Sequence, residues 1–242
     1  MKKISTVLLG VILLLGCNMA KTNGINSNNE KGGSSKSAVA TMQTDTTFVF
    51  SNCKADKIPV GWSQYFTGKG EKTEWKIVDD NGNKVLAQLS KNNPNYHFNV
   101  IVFNNFEAKN VELTVKLKGV SGKMDRGGGF VWRFIDADNY YVVRANPLED
   151  NVVLYKVVNG KRTDLPLIGK GKTYGIDVEP LGNGWNTLKL TVLDNLFTVY
   201  LNNKQLFQVK DDTFKKTGKI GLWTKADAVS YFDDLQVVKG SQ

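Results

Sequence analysis

Short runs of alternating apolar and polar residues recur along most of the chain, over residues 46–238. The runs are rich in Val, Ile, Phe, Tyr and Thr, and clusters of Gly, Asn and Asp separate them. The pattern predicts about thirteen strands in one all-β domain, arranged as a two-sheet antiparallel jelly-roll sandwich. Four clusters carry the signal of a tight hairpin turn: DNGN (80–83), DADN (136–139), VNGK (158–161) and LNNK (201–204).

The N-terminus has a different pattern. MKK is followed by an apolar stretch, residues 4–15, that has the length of a signal h-region and is too short to span a bilayer. The stretch ends in LLGC, residues 14–17, which resembles a bacterial lipobox. We therefore expect a lipoprotein signal peptide over residues 1–16 and a lipid on the Cys17 thiol, with an ordinary secretory signal as the alternative. Asn18 after the cysteine favours anchoring in the outer membrane, on its periplasmic or surface side.

Residues 17–45 are mostly Asn, Ser, Gly and Lys, with almost no large apolar side chain. Such a composition cannot bury enough surface to offset the entropy lost on ordering, and it predicts a flexible tether. The jelly-roll domain then occupies residues 46–242.

Charge and cysteine content limit the partners and the chemistry. The formal charge of +9 falls by two, to +7, once Lys2 and Lys3 leave with the signal. This basic, lysine-rich composition suggests acidic neighbours such as lipopolysaccharide or anionic glycans, and it equally suits solubility alone. The lysines are scattered singly and no nucleic-acid motif is present, so nucleic acid is not expected as a partner. With Cys17 lipidated, Cys53 is expected to be a buried thiol with no covalent partner. One histidine and one free cysteine do not build a typical zinc site.

Two arginines stand in the otherwise apolar run FVWRFIDADNYYVVRAN, residues 130–146. If residues 136–139 form the turn, alternation across the strands places Arg133, Tyr140 and Arg144 on one face. Arginine forks suit sugar hydroxyls or carboxylates and aromatic rings stack on sugars, so this face predicts a ligand site, with Asn146 beside it. The alternative is that the arginines pair with nearby acids such as Glu149 or Asp177. The core face would carry Phe130, Trp132, Phe134, Tyr141, Val143 and Ala145, and the ligand face Val131, Arg133, Ile135, Tyr140, Val142 and Arg144.

Two longer segments resemble a known group of proteins. They are GGGFVWRFIDADNYYVVRANPLEDNVVLYKVVNGKRTDLP, residues 127–166, and GKIGLWTKADAVSYFDDLQV, residues 218–237. Together they resemble the concanavalin A-like, laminin-G-like jelly-roll proteins grouped with the 3-keto-disaccharide hydrolase domain and the family 16 glycoside hydrolase fold. The resemblance implies a protein that binds or acts on carbohydrate, often as an envelope lipoprotein. The E-x-D-x-x-E strand of family 16 glucanases is absent, so the resemblance implies the fold rather than one activity.

The resemblance also suggests where chemistry would lie. A hydrolase would use Glu149 with Asp177 as its carboxyl pair, provided that the fold brings them together. In many carbohydrate-binding jelly rolls an acid on the last strand holds a structural calcium, which makes Asp233 and Asp234 candidate ligands.

The sequence thus predicts an exported lipoprotein whose concanavalin A-like domain binds an oligo- or polysaccharide. The first alternative is a glycoside or 3-keto-disaccharide hydrolase, or a lyase, on the same face. The second is a structural envelope protein that binds another protein.

Overall fold

The computed structural model of the protein describes Met19–Lys21 and residues 45–240. The signal peptide, Cys17 and most of the predicted tether lie outside these residues. Over the part of the chain that is described, no helix has both the length and the apolar character to cross a membrane.

The described chain is built almost entirely of strands, with one short 3-10 helix at Phe50–Asn52. The first nine strands are β1 (Met19–Lys21), β2 (Asp45–Phe48), β3 (Trp62–Gly68), β4 (Trp75–Asp80), β5 (Asn83–Gln88), β6 (His97–Ala108), β7 (Val111–Ser121), β8 (Gly128–Asp136) and β9 (Asn139–Asn146). The remaining strands are β10 (Asn151–Val158), β11 (Lys161–Asp164), β12 (Ile176–Asp177), β13 (Asn186–Leu193), β14 (Leu196–Leu201), β15 (Lys204–Lys210), β16 (Gly218–Lys225) and β17 (Val229–Lys239).

The strands form two antiparallel sheets. Sheet A has the order β1-β2-β17-β7-β13-β14-β15, and the β4–β5 hairpin joins it through β5 and β17. Sheet B has the order β11-β10-β9-β8-β16-β6-β3, with β12 beside β10. The main apolar core draws on both sheets and lies between them. The predicted two-sheet jelly-roll sandwich is therefore confirmed.

All four predicted hairpin turns are confirmed by the pairing of the residues that flank them. Three of the turns use left-handed backbone at Asn and Gly, as at Asn81 (φ 57°) and Gly82 (φ 89°). Tight hairpins favour these residues because their central positions need positive φ.

Two features near the N-terminus differ from the sequence expectation. Met19–Lys21 lies within the predicted tether and forms β1, which pairs antiparallel with β2. Cys53 is buried, as expected, but it is disulfide-bonded, so the expectation of a free thiol is wrong.

Sheet B carries a second apolar cluster on the face that points away from sheet A. All its buried members belong to strands of sheet B, and each is at most 4% exposed. Because an outward sheet face is ordinarily wet, something must cover this layer, and the covering side chains form the candidate site described below. The cluster comprises Phe98, Val100, Val102, Val131, Phe134, Tyr140, Val142, Val153, Tyr155, Val157 and Trp223.

Candidate functional site

The predicted ligand face is correct along β9 and wrong at one end of β8. Val131 pairs with Val142 and Trp132 with Tyr141, whereas Asp136 pairs with Asn139, so a β-bulge lies between Trp132 and Asp136. The bulge changes the direction of the residues within it. Phe134, predicted for the core, packs in the outer cluster, and Arg133 turns to the opposite side.

Arg133 therefore does not share a face with Arg144. It is 2% exposed, has φ 46°, and lies over the Phe197 ring of sheet A at 5.6 Å. Its guanidinium donates to the carbonyl oxygens of Lys109 (3.1 and 3.3 Å), Phe214 (2.6 Å) and Asp194. These carbonyls belong to three separate turns, so Arg133 holds one end of the sandwich closed. The prediction of Arg133 as a ligand-binding residue is not supported by this placement.

Arg144 stays on the predicted face and forms a side-chain network there. It is 1% exposed and donates to Asn151 Oδ1 (2.5 Å), Glu149 Oε2 (2.7 Å) and the Tyr155 hydroxyl (3.3 Å). Burial alone would lower the pKa of Arg144, but the surrounding Tyr155, Asp125 and Glu149 outweigh it and hold that pKa above its ordinary value. The alternative of pairing with Glu149 is thus what the structure shows for Arg144.

Space for this arginine comes from a glycine on the neighbouring strand. Gly129 pairs with Arg144 on one side and with Trp223 on the other. A Cβ at Gly129 would come within 2.8 Å of the Arg144 Cα and closer still to the Val143 carbonyl oxygen. The Gly127–Gly129 run therefore packs the sheet closely rather than serving as a flexible strand entry.

The other two predicted ligand residues are buried beneath the surface. The Tyr140 hydroxyl lies 2.7 Å from Thr67 Oγ1, and complete burial raises the pKa of Tyr140. Asn146 Oδ1 accepts the backbone N–H of Leu148 (3.0 Å) and of Arg126 (3.3 Å), and Asn146 is fully buried. Both side chains therefore lie beneath the surface of the site and support it by packing.

The two proposed carboxyl residues flank the same residue, Asn151. Glu149 forms a hydrogen bond with the Asn151 side chain, and Asp177 of β12 pairs with Asn151 of β10. Asp177 is exposed and lines a groove of about 530 Å³ with Glu179 and Lys204. Partial burial acts to raise the pKa of Glu149, but the charge and hydrogen bond of Arg144 hold it below its ordinary value. A lowered pKa does not suit Glu149 to the role of general acid in glycoside hydrolysis.

The candidate calcium ligands are engaged with protein groups. Asp233 accepts from the Asn83 amide (2.8 Å) and the Asp234 backbone N–H (2.9 Å), and Asp234 pairs with Lys116 (2.8 Å). Over the described residues, no group of three or more His, Cys, Asp or Glu side chains could hold a metal ion.

Sequence reasoning missed the residues that cover the outer cluster. Arg162 of β11 lies over the rings of Tyr155 (4.3 Å), Phe98 (4.8 Å) and Trp223 (5.8 Å). The Tyr155 hydroxyl donates to or accepts from that of Tyr174 (3.1 Å). Two exposed tyrosines flank this arrangement, and we call the set the arginine–tyrosine cluster: Tyr96, Arg144, Tyr155, Arg162 and Tyr174.

Backbone geometry positions both exposed tyrosines. The Tyr96 hydroxyl accepts the Arg162 backbone N–H (2.7 Å) and donates to the Gly160 carbonyl (3.1 Å). Tyr174 has φ 49°, a left-handed conformation that is unfavourable for a bulky residue. Strain of this kind clusters at ligand sites, and here it brings a 48% exposed ring onto Tyr155.

Part of this cluster was within reach of the sequence. The VNGK turn fixes the β10–β11 register, in which Val157 pairs with Arg162 and Tyr155 with Asp164. Counting outward from that turn puts Tyr155 and Arg162 on the same face as Arg144. Tyr174 lies in a loop, where no periodicity indicates its position.

Comparison with known proteins identifies the fold. No protein-family model matches this sequence, and no curated protein sequence does either. The carbohydrate-binding module CBM66 from Bacillus subtilis is similar in structure, with a TM-score of 0.53 and 20% identity over 73% of this chain and 94% of the module. The cellulose induced protein Cip1 gives a TM-score of 0.55 and 9% identity over 79% of this chain and 95% of its own. At these identities the likeness shows that the chain shares their jelly-roll sandwich fold.

Proposed function

We propose that this protein is an exported lipoprotein whose jelly-roll domain binds carbohydrate at the arginine–tyrosine cluster on the outer face of sheet B. The observation that carries the proposal is Arg144, a fully buried guanidinium that donates to the partly exposed Glu149 and to the buried Tyr155, whose hydroxyl bonds that of the exposed Tyr174. The carbohydrate-binding module among the structures of this fold supports the same ligand class.

The cluster has the components that sugar recognition uses. Exposed aromatic rings stack on the apolar faces of sugars, and fixed donors and acceptors bind the hydroxyl groups. Tyr96 and Tyr174 supply the rings, while Glu149 supplies an acceptor that Arg144 already orients. Binding is favoured over hydrolysis because Arg144 holds the pKa of Glu149 below its ordinary value, which does not suit a general acid.

The test is a glycan-binding measurement with the purified full chain. We expect retention of one class of oligosaccharide, at least tenfold weaker binding in Tyr174→Ala, and no sugar product by mass spectrometry. Trp185→Ala is the matched control, since Trp185 is another exposed aromatic residue but lies beside Lys118 of sheet A. Equal losses in both variants would overturn the site. Detection of sugar products would establish an enzyme. Absence of binding to every glycan tested would favour the structural envelope role.

The anchor is a separate part of the proposal. We propose that Cys17 carries the lipid and holds the protein in the bacterial outer membrane, on its periplasmic or surface side. A lipid thioether and an intrachain disulfide at Cys53 compete for the chain's two cysteines, because each sulfur forms one such bond. Intact-mass measurement of the protein from its host decides between them. Added acyl mass that disappears in Cys17→Ser supports the anchor, and an unacylated, disulfide-bonded chain contradicts it.

A further inference from the structure

Arg162 differs from the other charged residues of the outer face in having no partner. Its guanidinium lies over the rings of Tyr155, Phe98 and Trp223, but among the described residues its side chain makes no hydrogen bond and has no carboxylate within 4.0 Å. Its Nη1 is buried without an acceptor. Stacking on aromatic rings stabilises the cation, but it leaves the in-plane N–H groups unsatisfied.

Three acids near Arg162 on this face have other partners. Glu149 pairs with Arg144 at 2.7 Å, Asp125 with Lys225 at 3.5 Å, and Asp164 with Lys172 at 4.0 Å. A fourth acid, Asp138, lies beside Gly160 in the turn before Arg162 but forms no ion pair with it. The Arg162 guanidinium thus has no carboxylate partner among the described residues.

The position of Arg162 is fixed before any ligand arrives. Three rings hold the plane of its guanidinium, and the Tyr96 hydroxyl holds the Arg162 backbone N–H. A preorganised planar fork loses little entropy on binding, and it matches the two oxygens of a carboxylate better than single hydroxyl groups.

We propose that the ligand of this face is an acidic carbohydrate, whose carboxylate binds the Arg162 guanidinium while a sugar ring packs on Tyr174 or Tyr96. The proposal rests on the carbohydrate-binding function proposed above and narrows its ligand class. A carboxylate would satisfy guanidinium donors that the protein leaves unpaired and would give Arg162 the ion pair that it lacks. A neutral sugar would supply no opposite charge.

The test compares acidic oligosaccharides, such as uronates and sialosides, with their carboxyl-reduced counterparts on one array, followed by titration calorimetry of the best pair. With the full chain we expect the acidic member to bind about tenfold more tightly than its reduced counterpart. Arg162→Gln should remove this preference, so that the acidic and the neutral member bind equally. Lys161→Gln is the matched control, because it removes the same charge from the adjacent, exposed position of β11 and should preserve the preference.

The outcomes separate the two proposals. Tyr174-dependent binding of neutral sugars with no preference for the acidic member would overturn the acidic ligand and leave the binding function standing. An equal change in Arg162→Gln and Lys161→Gln would also overturn it, since general charge would then explain the effect. Absence of any Tyr174-dependent glycan binding would overturn the binding function itself. If Arg162→Gln unfolds, Arg162→Lys keeps the charge without the fork, and an undiminished preference there contradicts bidentate recognition.

Discussion

Arg133 and Arg144 are both buried in sheet B, eleven positions apart in sequence, yet they have opposite surroundings. Arg133 donates to backbone carbonyls of three turns, and these carbonyls have no freedom to change partners. Arg144 donates to the side chains of Glu149, Asn151 and Tyr155, of which Glu149 is partly exposed and Tyr155 bonds the exposed Tyr174. The contacts of Arg133 end within the fold, whereas those of Arg144 lead to Glu149 and Tyr174, which a ligand can reach.

The contrast teaches how to interpret a buried arginine. Burial of a guanidinium requires acceptors, but the kind of acceptor separates a structural role from a binding role. Backbone carbonyls make a closed contact within the fold. A series of hydrogen-bonded side chains that leads outward and ends in a carboxylate and phenols presents polar groups at the surface. The predictions below test this division.

The largest expected effect is on stability at Arg133. Arg133→Met leaves the buried carbonyls of Lys109, Asp194 and Phe214 without their donor, so we expect a loss of about 3 kcal/mol in the free energy of unfolding. Urea denaturation measures it, and glycan affinity of the folded fraction should not change. Reduced glycan affinity in Arg133→Met, at an unchanged free energy of unfolding, would contradict the division between the two arginines, because it would give Arg133 a binding role.

Arg144→Met should affect both properties. Loss of the charged hydrogen bonds to Asn151, Glu149 and Tyr155 should lower the free energy of unfolding by about 2 kcal/mol. Glycan affinity should fall below detection as well, because Glu149 and Tyr155 lose their orientation. Calorimetry at a temperature where the variant remains folded separates the two effects. Unchanged affinity would assign Arg144 to the same structural class as Arg133.

Lowering the pH should reduce the free energy of unfolding through Glu149, the partner of Arg144, but by less than either arginine substitution. The pKa of Glu149 is lowered by Arg144, so its contribution to stability is present above the unfolded value of 4.5 and is lost as pH falls through the folded value. Since about a third of the Glu149 side chain is exposed, solvent screening keeps this contribution small. Glu149→Gln should flatten the stability profile below pH 4.5, as measured by urea midpoints across pH. An unchanged profile would show that the Arg144–Glu149 pair adds nothing to folding.

His97 provides the control for that profile in a different pH range. Burial lowers the pKa of His97, so stability is full above the unfolded value of 6.5 and falls as pH drops below it. His97→Gln should flatten the profile below pH 6.5 and leave the change at lower pH that belongs to Glu149. If His97→Gln also changed the part of the stability profile below pH 4.5, the titrations of His97 and Glu149 would be coupled.

The smallest expected effect on stability is at Tyr174. Tyr174→Gly relieves the left-handed backbone at φ 49° but removes the ring contact with Tyr155, so the free energy of unfolding should stay within about 1 kcal/mol of the parent. Glycan binding should nevertheless be lost. Thermal unfolding and the glycan array measure the two properties. A strongly destabilised variant would show that the strained tyrosine serves the fold rather than the site.

The fold was largely predictable because its signals are local. Alternation and Asn–Gly turns indicated the hairpins, and the residues of β9 fall on the predicted faces. The bulge around Arg133 was not predictable, since FVWRFID carries no glycine or proline that would indicate one. The backbone leaves regular pairing there because three turns from distant parts of the chain offer their carbonyls to Arg133.

The candidate site was predictable only in part, for a related reason. Arg144 and Asn146 lie on strands whose register a turn signal fixes. Tyr174 and Tyr96 reach the site from loops, and Glu149 from the turn that follows β9, so their positions depend on tertiary packing rather than on periodicity.

The contacts of Arg133 also determine where the chain could be lengthened. Its three acceptors fix the lengths of the turns at Lys109, Asp194 and Phe214, because an added residue would carry a carbonyl away from the guanidinium. Gly184 has no such restriction: a side chain there would meet no atom within 4 Å, and its backbone is not in the left-handed region. A fluorescent label therefore belongs at Gly184, where a reporter can be carried without opening the sandwich.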